Sequence, residues 1–273
     1  MANGSVNTQF ARSRDELDQP SFSARAFEPL TGMLFLEAGL EPGMRVLDAF
    51  SATGDVAFLA SGIVGPGGHV TGFDQSPAPV AYANERATIR GLDNVDFIEA
   101  DVASLPFGAE FDAVIGRVVL MYRRDPESDL KALVRCRKPG GVAIFQELDM
   151  LAGTTEPPAP VVEQVRHWLL NAFEEVGIHV RMGPELYPLF KAAGLEPPRM
   201  RIDGFIGGKE SISPLLIANV ARMLLPQLEM MGITTADEMQ IDTLEERMRA
   251  DLERTGGIMS SPILIGAWAR MPA

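Results

Sequence analysis

The chain has 273 residues, 46% of them hydrophobic, and carries 24 Lys and Arg against 37 Asp and Glu for a formal net charge of −13. That length supplies an ample core for one large α/β domain or a domain with a cap, while the acidic balance, with no basic run longer than Arg123-Arg124, excludes nucleic acid as an expected partner. A single cysteine, Cys136, excludes internal disulfides and a thiolate metal cage; with no leader-like segment and no run of about 18 apolar residues, the expectation is a cytoplasmic protein without a membrane partner.

Residues 1–20 are polar and mixed and predict an arm rather than an element. From 22 to 40 the apolar residues Phe27, Leu30, Leu34, Leu36 and Leu40 fall at helical spacing, until Glu41-Pro42-Gly43 breaks the pattern. A strand over 44–49 then leads through Ser51–Gly54 into a helix over about 55–63. Gly65-Pro66-Gly67-Gly68 turns into a strand at 69–74, and Ser76-Pro77, a capping residue before a proline suited to a first turn, opens a helix to about Gly91. Strands at 95–100 and 111–116 follow, then a helix over about 126–137, which Lys138-Pro139-Gly140-Gly141 stops before an apolar strand at 142–147.

Beyond Asp149 this rhythm is lost. Residues 154–160 are proline-rich and predict a loop; 161–177 and 184–194 predict helices, 200–205 a strand, 213–231 and 236–255 two methionine-rich helices, and 262–269 a last strand expected to return to the sheet edge. The expected division is therefore an N-terminal arm and helix over 1–40, an α/β core over 41–150, a helical cap with one sheet-edge strand over 151–260, and a final core strand in 261–273. Long apolar cap helices are compatible with a homodimer and do not demand one.

Three of the core runs end in an aspartate: MRVLDAF near Asp48, HVTGFD at Asp74 and VDFIEAD at Asp101, spaced 26 and 27 residues apart, about one strand-plus-helix repeat. In a parallel sheet the three carboxylates stand at the carboxyl ends of neighbouring strands, where such folds bind ligands. Each alone reads as a turn aspartate satisfied by its own backbone; three at the repeat interval favour a ligand. Three acids in one crevice repel a pyrophosphate and suit a ligand with an ammonium group, a ribose diol and an amino-purine edge. A nicotinamide dehydrogenase fails on the same ground and on the missing G-x-G-x-x-G. The segment GFIGGKES lacks the phosphate-loop pattern because Glu210 follows Lys209. No His, Asp or Glu cluster has metal-ligand spacing, so no metal is expected.

Taken in order over about 44–148, the runs VLDAFSATGDVAFLA, VTGFDQSP, FIEADVASLPF, FDAVIGRVVLMY and RKPGGVAIFQE resemble the class I S-adenosylmethionine-dependent methyltransferases, especially their small-molecule branch. The resemblance implies a Rossmann-like, doubly wound α/β fold: a seven-stranded sheet, mostly parallel with the last strand antiparallel, carrying a helical cap insertion. It implies S-adenosylmethionine as cofactor, with Asp48 and the loop Phe50, Ser51, Ala52 and Gly54 at the methionine end. It places Asp74 on the ribose hydroxyls, Gln75 beside the ribose or adenine, Asp101 on the adenine amino group, Val102 on a ring nitrogen through its N–H, and Arg117 by the methionyl carboxylate or the substrate entrance.

The loop departs from D-x-G-x-G-x-G, reading Asp48-Ala49-Phe50-Ser51-Ala52-Thr53-Gly54. A Cβ at 52 costs ~1 kcal/mol or more if φ there must be positive. Polar residues near a substrate cavity are His179 in the loop GIHVRMGPELY, the best base candidate, together with Tyr122 and Glu147, which ends the fifth strand and is expected to point toward the crevice. Of the other histidines, His69 and His167 read as structural. The implied activity is methyl transfer to the O, N or C atom of a small, largely apolar acceptor. The alternative keeps the fold and uses the altered loop in a cyclisation or rearrangement of a natural product.

Overall fold

The computed structural model describes residues 22–270; the expected arm over 1–20 lies outside the described residues. Helix α1 (Phe22–Glu37) precedes an alternation of β1 (Arg45–Ala49), α2 (Asp55–Val64), β2 (His69–Asp74), α3 (Pro77–Ile89), β3 (Val95–Glu99), β4 (Phe111–Arg117), α4 (Pro126–Arg135) and β5 (Arg137–Asp149). Next come β6 (Thr155–Glu156), α5 (Pro160–Glu175), α6 (Met182–Ala192), β7 (Arg199–Asp203), β8 (Ile206–Gly207) and α7 (Ser213–Met230). A single turn α8 (Ala236–Met239), α9 (Leu244–Thr255), β9 (Ile258–Ser260) and β10 (Ile263–Arg270) complete the described elements.

Seven strands form one sheet in the order β3-β2-β1-β4-β5-β10-β7. Every pairing from β3 to β5 is parallel, and the sheet as a whole is mostly parallel with one antiparallel strand, as expected. The register Val46↔Ala113↔Val142 and Ile115↔Ile144 stacks apolar side chains on one face, where they share a buried cluster with Leu34 and Phe35 of α1 and Ala57 and Ala60 of α2. One pleat further on, Asp48 lies level with Ile115, and Arg117 pairs with Gln146 on that same face. The opposite face carries Phe145, which meets Phe190 of α6 edge to face at 6.1 Å. Gly116 permits this packing, since a Cβ there would sit 2.7 Å from the Phe145 ring.

The described chain divides into two compact units. The first holds the residues up to Glu147, Gly183–Arg201 and those from Ile265 onward; the second holds Leu148–Met182 and Ile202–Leu264. Most of α6 and the start of β7, grouped with the cap by the sequence pattern, thus pack with the first unit. In the second unit α5, α7 and α9 pack together, and Asp251 accepts the Val161 N–H at 2.8 Å to cap the start of α5.

Three local features differ from expectation. The proline-rich stretch contributes β6, which with β9 and β8 forms a small antiparallel sheet; two-residue strands leave no periodic signal. Strand β5 begins at Arg137, opposite Phe111, because a register shift between Phe111 and Ala113 absorbs the Lys138–Gly141 turn within the pairing. The helix expected over 236–255 breaks at Gln240, which takes φ 50°. Met239 and Leu244 are both fully buried five positions apart, a spacing that puts them on different sides of one straight helix. The break lets both reach the core. No helix among the described residues is long and apolar enough to cross a membrane.

Candidate functional site

Strands β1 and β4 are neighbours in the sheet although β2 and β3 lie between them in the chain, so the winding reverses at that pair. Carboxyl ends at such a reversal are where open α/β sheets take ligands. Asp48 stands there, 1% exposed, and its Oδ2 has no hydrogen-bond partner. Burial pushes its pKa up from 3.8 to about 8, against the pull of the Arg117 guanidinium and of the Ala57 N–H in the first turn of α2, with Asp74 and Asp55 adding to the rise. Burial lowers the pKa of Arg117, and the charges of Asp55, Asp48 and Glu28 oppose it. Arg117 Nη1 donates to Thr31 Oγ1 of α1 at 3.2 Å.

The loop from Phe50 to Gly54 keeps a left-handed backbone at three positions: Phe50 at φ 53°, Ala52 at φ 46° and Gly54 at φ 86°. Gly54 is obligatory, since a Cβ would lie 2.5 Å from the Phe97 ring. Ala52 holds positive φ despite its Cβ, so the strain expected from the sequence is present. The loop is fixed by Ser51 N–H to Phe73 O at 2.8 Å, Gly54 N–H to Ser51 O at 2.8 Å, and Ala52 N–H to Asp74 Oδ2 at 3.2 Å. Ser51 Oγ is buried without a partner.

Asp74, 4% exposed, also accepts the Ser76 N–H on Oδ1 at 2.9 Å. Each of its oxygens has one backbone donor and retains a lone pair for another. Asp101 is exposed; its Oδ1 accepts the Ala103 N–H at 3.0 Å and Gln75 Nε2 at 3.1 Å, which caps the short turn Val102–Ser104, with Val102 itself buried. Gln75 Oε1 in turn accepts from Arg123 Nη1 at 3.4 Å. Arg123 lies over the Phe50 ring at 4.4 Å and is held by Asp129, Nε to Oδ2 at 2.5 Å. One polar chain thus runs from Asp129 through Arg123 and Gln75 to Asp101, with the glycine-loop phenylalanine beneath it.

The proposed catalytic residues are not gathered in the same way. Tyr122 ends the short turn Leu120–Tyr122 after β4. Glu147 is fully buried on the face opposite Gln146. Its Oε1 accepts the N–H groups of Val119 at 2.9 Å and Leu120 at 2.8 Å, and Oε2 that of Met121 at 3.4 Å. Burial lifts its pKa from 4.5 to about 7 against those three donors. Its geometry is that of a cap on the turn rather than of a group pointing toward Asp48's side, as the sequence pattern suggested. His179 is half-buried in the second unit, between α5 and α6.

Three residues escaped sequence reasoning: Thr31, Gln146 and Arg123. Each is brought to the site by packing across elements, and no local motif marks them. Among the described residues, no group of three or more His, Cys, Asp or Glu could hold a metal.

A family profile described as a methyltransferase domain matches residues 40–194. The chain belongs to the class I S-adenosylmethionine-dependent methyltransferase family. The chain is 33% identical over 112 residues to a ubiquinone/menaquinone biosynthesis C-methyltransferase of Shewanella sediminis, covering 40% of this chain and 45% of that protein. It is 35% identical over 133 residues to a 2-phytyl-1,4-naphtoquinone methyltransferase of Synechococcus elongatus, covering 48% and 54%. The matches thus span about half the length of these curated relatives. Among solved structures it is similar to a SAM-dependent methyltransferase from Aquifex aeolicus (TM-score 0.56, 16% identity, covering 96% of this chain and 100% of that one). It is also similar to the [4+2]-cyclase SpnF (TM-score 0.56, 22% identity, 91% and 83%). At those identities the likeness concerns the fold alone.

The residues at this sheet reversal fit the family's cofactor. A buried carboxylate oxygen without a partner suits an ammonium group, a guanidinium nearby suits a carboxylate, and Asp74 and Asp101 keep acceptor capacity for a ribose diol and an adenine amino group.

Proposed function

We propose that this methyltransferase moves the methyl group of S-adenosylmethionine onto a small, largely apolar acceptor. The observation that carries this reading is the Oδ2 of Asp48, enclosed at the sheet reversal without a hydrogen-bond partner, which an ammonium donor would satisfy. The cofactor, when bound, supplies an already activated sulfonium methyl group. The protein's part is to orient: Asp48 takes the ammonium, Arg117 the carboxylate, Asp74 the ribose, and Asp101 with the Val102 N–H the adenine, while Gln75 holds Asp101 in place. Alignment of this kind can contribute roughly 7–11 kcal/mol at best. Backbone geometry around 50–54 supports the assignment, because the left-handed conformation persists at Phe50 and Ala52 without glycine.

The names of the curated relatives put quinone-derived rings first among acceptors to screen, with C-methylation ahead of O- and N-methylation. His179 is the base we assign where the acceptor stays protonated at neutral pH. Tyr122 is the polar group of the first unit assigned to the acceptor side, on a turn that Glu147 supports. A cyclisation reading drew on the altered loop; the retained loop conformation favours methyl transfer over it. The single buried cysteine suits a cytoplasmic setting.

Calorimetric titration with S-adenosylmethionine and S-adenosylhomocysteine tests the reading. Micromolar binding of both is expected. No detectable binding of either overturns it and turns attention to cofactor-free chemistry.

A further inference from the structure

We infer that Gln146 and Thr31 complete the carboxylate end of the cofactor site, Gln146 Nε2 as a direct donor and Thr31 as the residue that positions it. The inference rests on the reading of the chain as an S-adenosylmethionine binder.

Gln146 is fully buried, yet its Nε2 has no hydrogen-bond partner. Buried amide donors are nearly always paired, and an unpaired one calls for a ligand, an ordered water or a functional role. Its place narrows the choice. Gln146 pairs with Arg117 across β5 and β4, on the face that carries Asp48 near the end of β1. At about 4.8 Å between strands, Arg117 stands in the middle, one strand from Asp48 and one from Gln146. An unpartnered acceptor, a guanidinium and an unpartnered donor therefore lie on one face of three adjacent strands, Arg117 and Gln146 level with each other and Asp48 one pleat before them. An α-amino acid presents a matching sequence of ammonium and carboxylate.

Thr31 determines which end of the amide is free. Its hydroxyl oxygen accepts from Arg117 Nη1 at 3.2 Å, so its own hydrogen is available to donate onward. Gln146 Oε1 lies 2.7 Å away, nearer than the Phe27 carbonyl at 3.0 Å. With Oε1 engaged by Thr31, Nε2 is turned away from it. Thr31 is itself fully buried and held on α1, so α1 sets the orientation of a side chain on the sheet. Arg117 polarises the hydroxyl that does so, and all three then act as one unit toward an anion.

The test compares two nucleosides that differ only at this end: S-adenosylhomocysteine, which carries the amino-acid group, and 5′-methylthioadenosine, which lacks it. Affinities are measured by calorimetry on the full chain. For Gln146→Met we expect about a tenfold loss for S-adenosylhomocysteine and no more than a twofold change for methylthioadenosine. Gln146→Glu, which faces the carboxylate with a like charge, is expected to lose more of the first and again little of the second. Thr31→Val should lose part of the S-adenosylhomocysteine affinity selectively, and Thr31→Ser should restore it; a packing role alone would not discriminate between the ligands. Equal losses for both nucleosides, or no loss for either, overturn the assignment while leaving the cofactor reading intact. Failure of the unmodified chain to bind either nucleoside overturns the cofactor reading itself.

Discussion

Ala52 carries the clearest conflict between side chain and backbone in the site, a Cβ at φ 46° where glycine would be unstrained. Ala52→Gly is expected to stabilise the protein by about 1 kcal/mol, the relief of left-handed strain exceeding the added freedom of the unfolded chain. Urea denaturation of the two forms measures it, and destabilisation would show the loop to be unstrained. A second residue stands alone in another way. Arg137, 3% exposed at the start of β5, has no hydrogen-bond partner at Nε, Nη1 or Nη2, and burial lowers its pKa. Its Cγ lies 2.4 Å from where a Cβ of Gly141 would be, so the glycine makes room for its stem. A buried cation without a partner is replaced favourably by an apolar side chain of similar volume. Arg137→Leu should therefore raise stability by about 1–3 kcal/mol and leave S-adenosylhomocysteine affinity unchanged, by thermal melting and calorimetry respectively. The sequence motif marked Asp48, Asp74 and Asp101 because each ends a strand at the repeat interval. Arg137 left no such mark, because its isolation depends on what packs around it from β4 and the Gly140-Gly141 turn.

At the scale of elements, β5 serves both faces of the sheet with consecutive residues: Gln146 on the side of Asp48, and Glu147 on the other, holding the turn over 119–121. Glu147→Ala removes the acceptor for three enclosed N–H groups and should cost about 2–4 kcal/mol, whereas Glu147→Gln, which keeps one acceptor oxygen, should cost less. Equal costs in denaturant titrations would argue against the capping role. The strand itself was legible from its apolar run and the Pro-Gly-Gly turn before it. Which of Gln146 and Glu147 faces Asp48 was not, because that depends on register with β4 and β1, set by pairings between residues far apart in the chain. The break at Gln240 escaped for a related reason: Met-rich periodicity predicts helix across it, and only the need to bury both Met239 and Leu244 interrupts it.

For the whole molecule, the two raised carboxyl groups give stability a direction with pH. Asp48 titrates near 8 and Glu147 near 7 when folded, above their ordinary values of 3.8 and 4.5. Between those limits the folded chain binds more protons than the unfolded one, so stability is full below about pH 4 as far as these groups are concerned and declines as pH rises to about 8. The decline should amount to several kcal/mol, at most about 9, and Asp48→Asn should flatten it. Ammonium binding at Asp48 favours its charged form, so cofactor binding near pH 6.5 should release a proton. Titration in buffers of different ionisation enthalpy reads that proton directly, and its absence would place the ammonium elsewhere. Overall topology was readable in outline, since five runs in order carry it as far as β5. The position of the last strand was not: expected at the sheet edge, it lies between β5 and β7, because nothing in the apolar run 262–269 names its neighbours.

That position has a consequence for how the protein is made. β10 is the last described strand in the chain but lies inside the sheet, between β5 and β7. While the chain is still emerging from the ribosome, every earlier strand can be complete and β5 must still present a bare, apolar edge. Open edges of that kind recruit other chains. The sheet closes only after residues 263–270 have been synthesised, so the hazardous interval is set by translation of the stretch between β5 and β10 rather than by the folding of the first five strands, and chaperone demand should fall on chains that have yet to place β10.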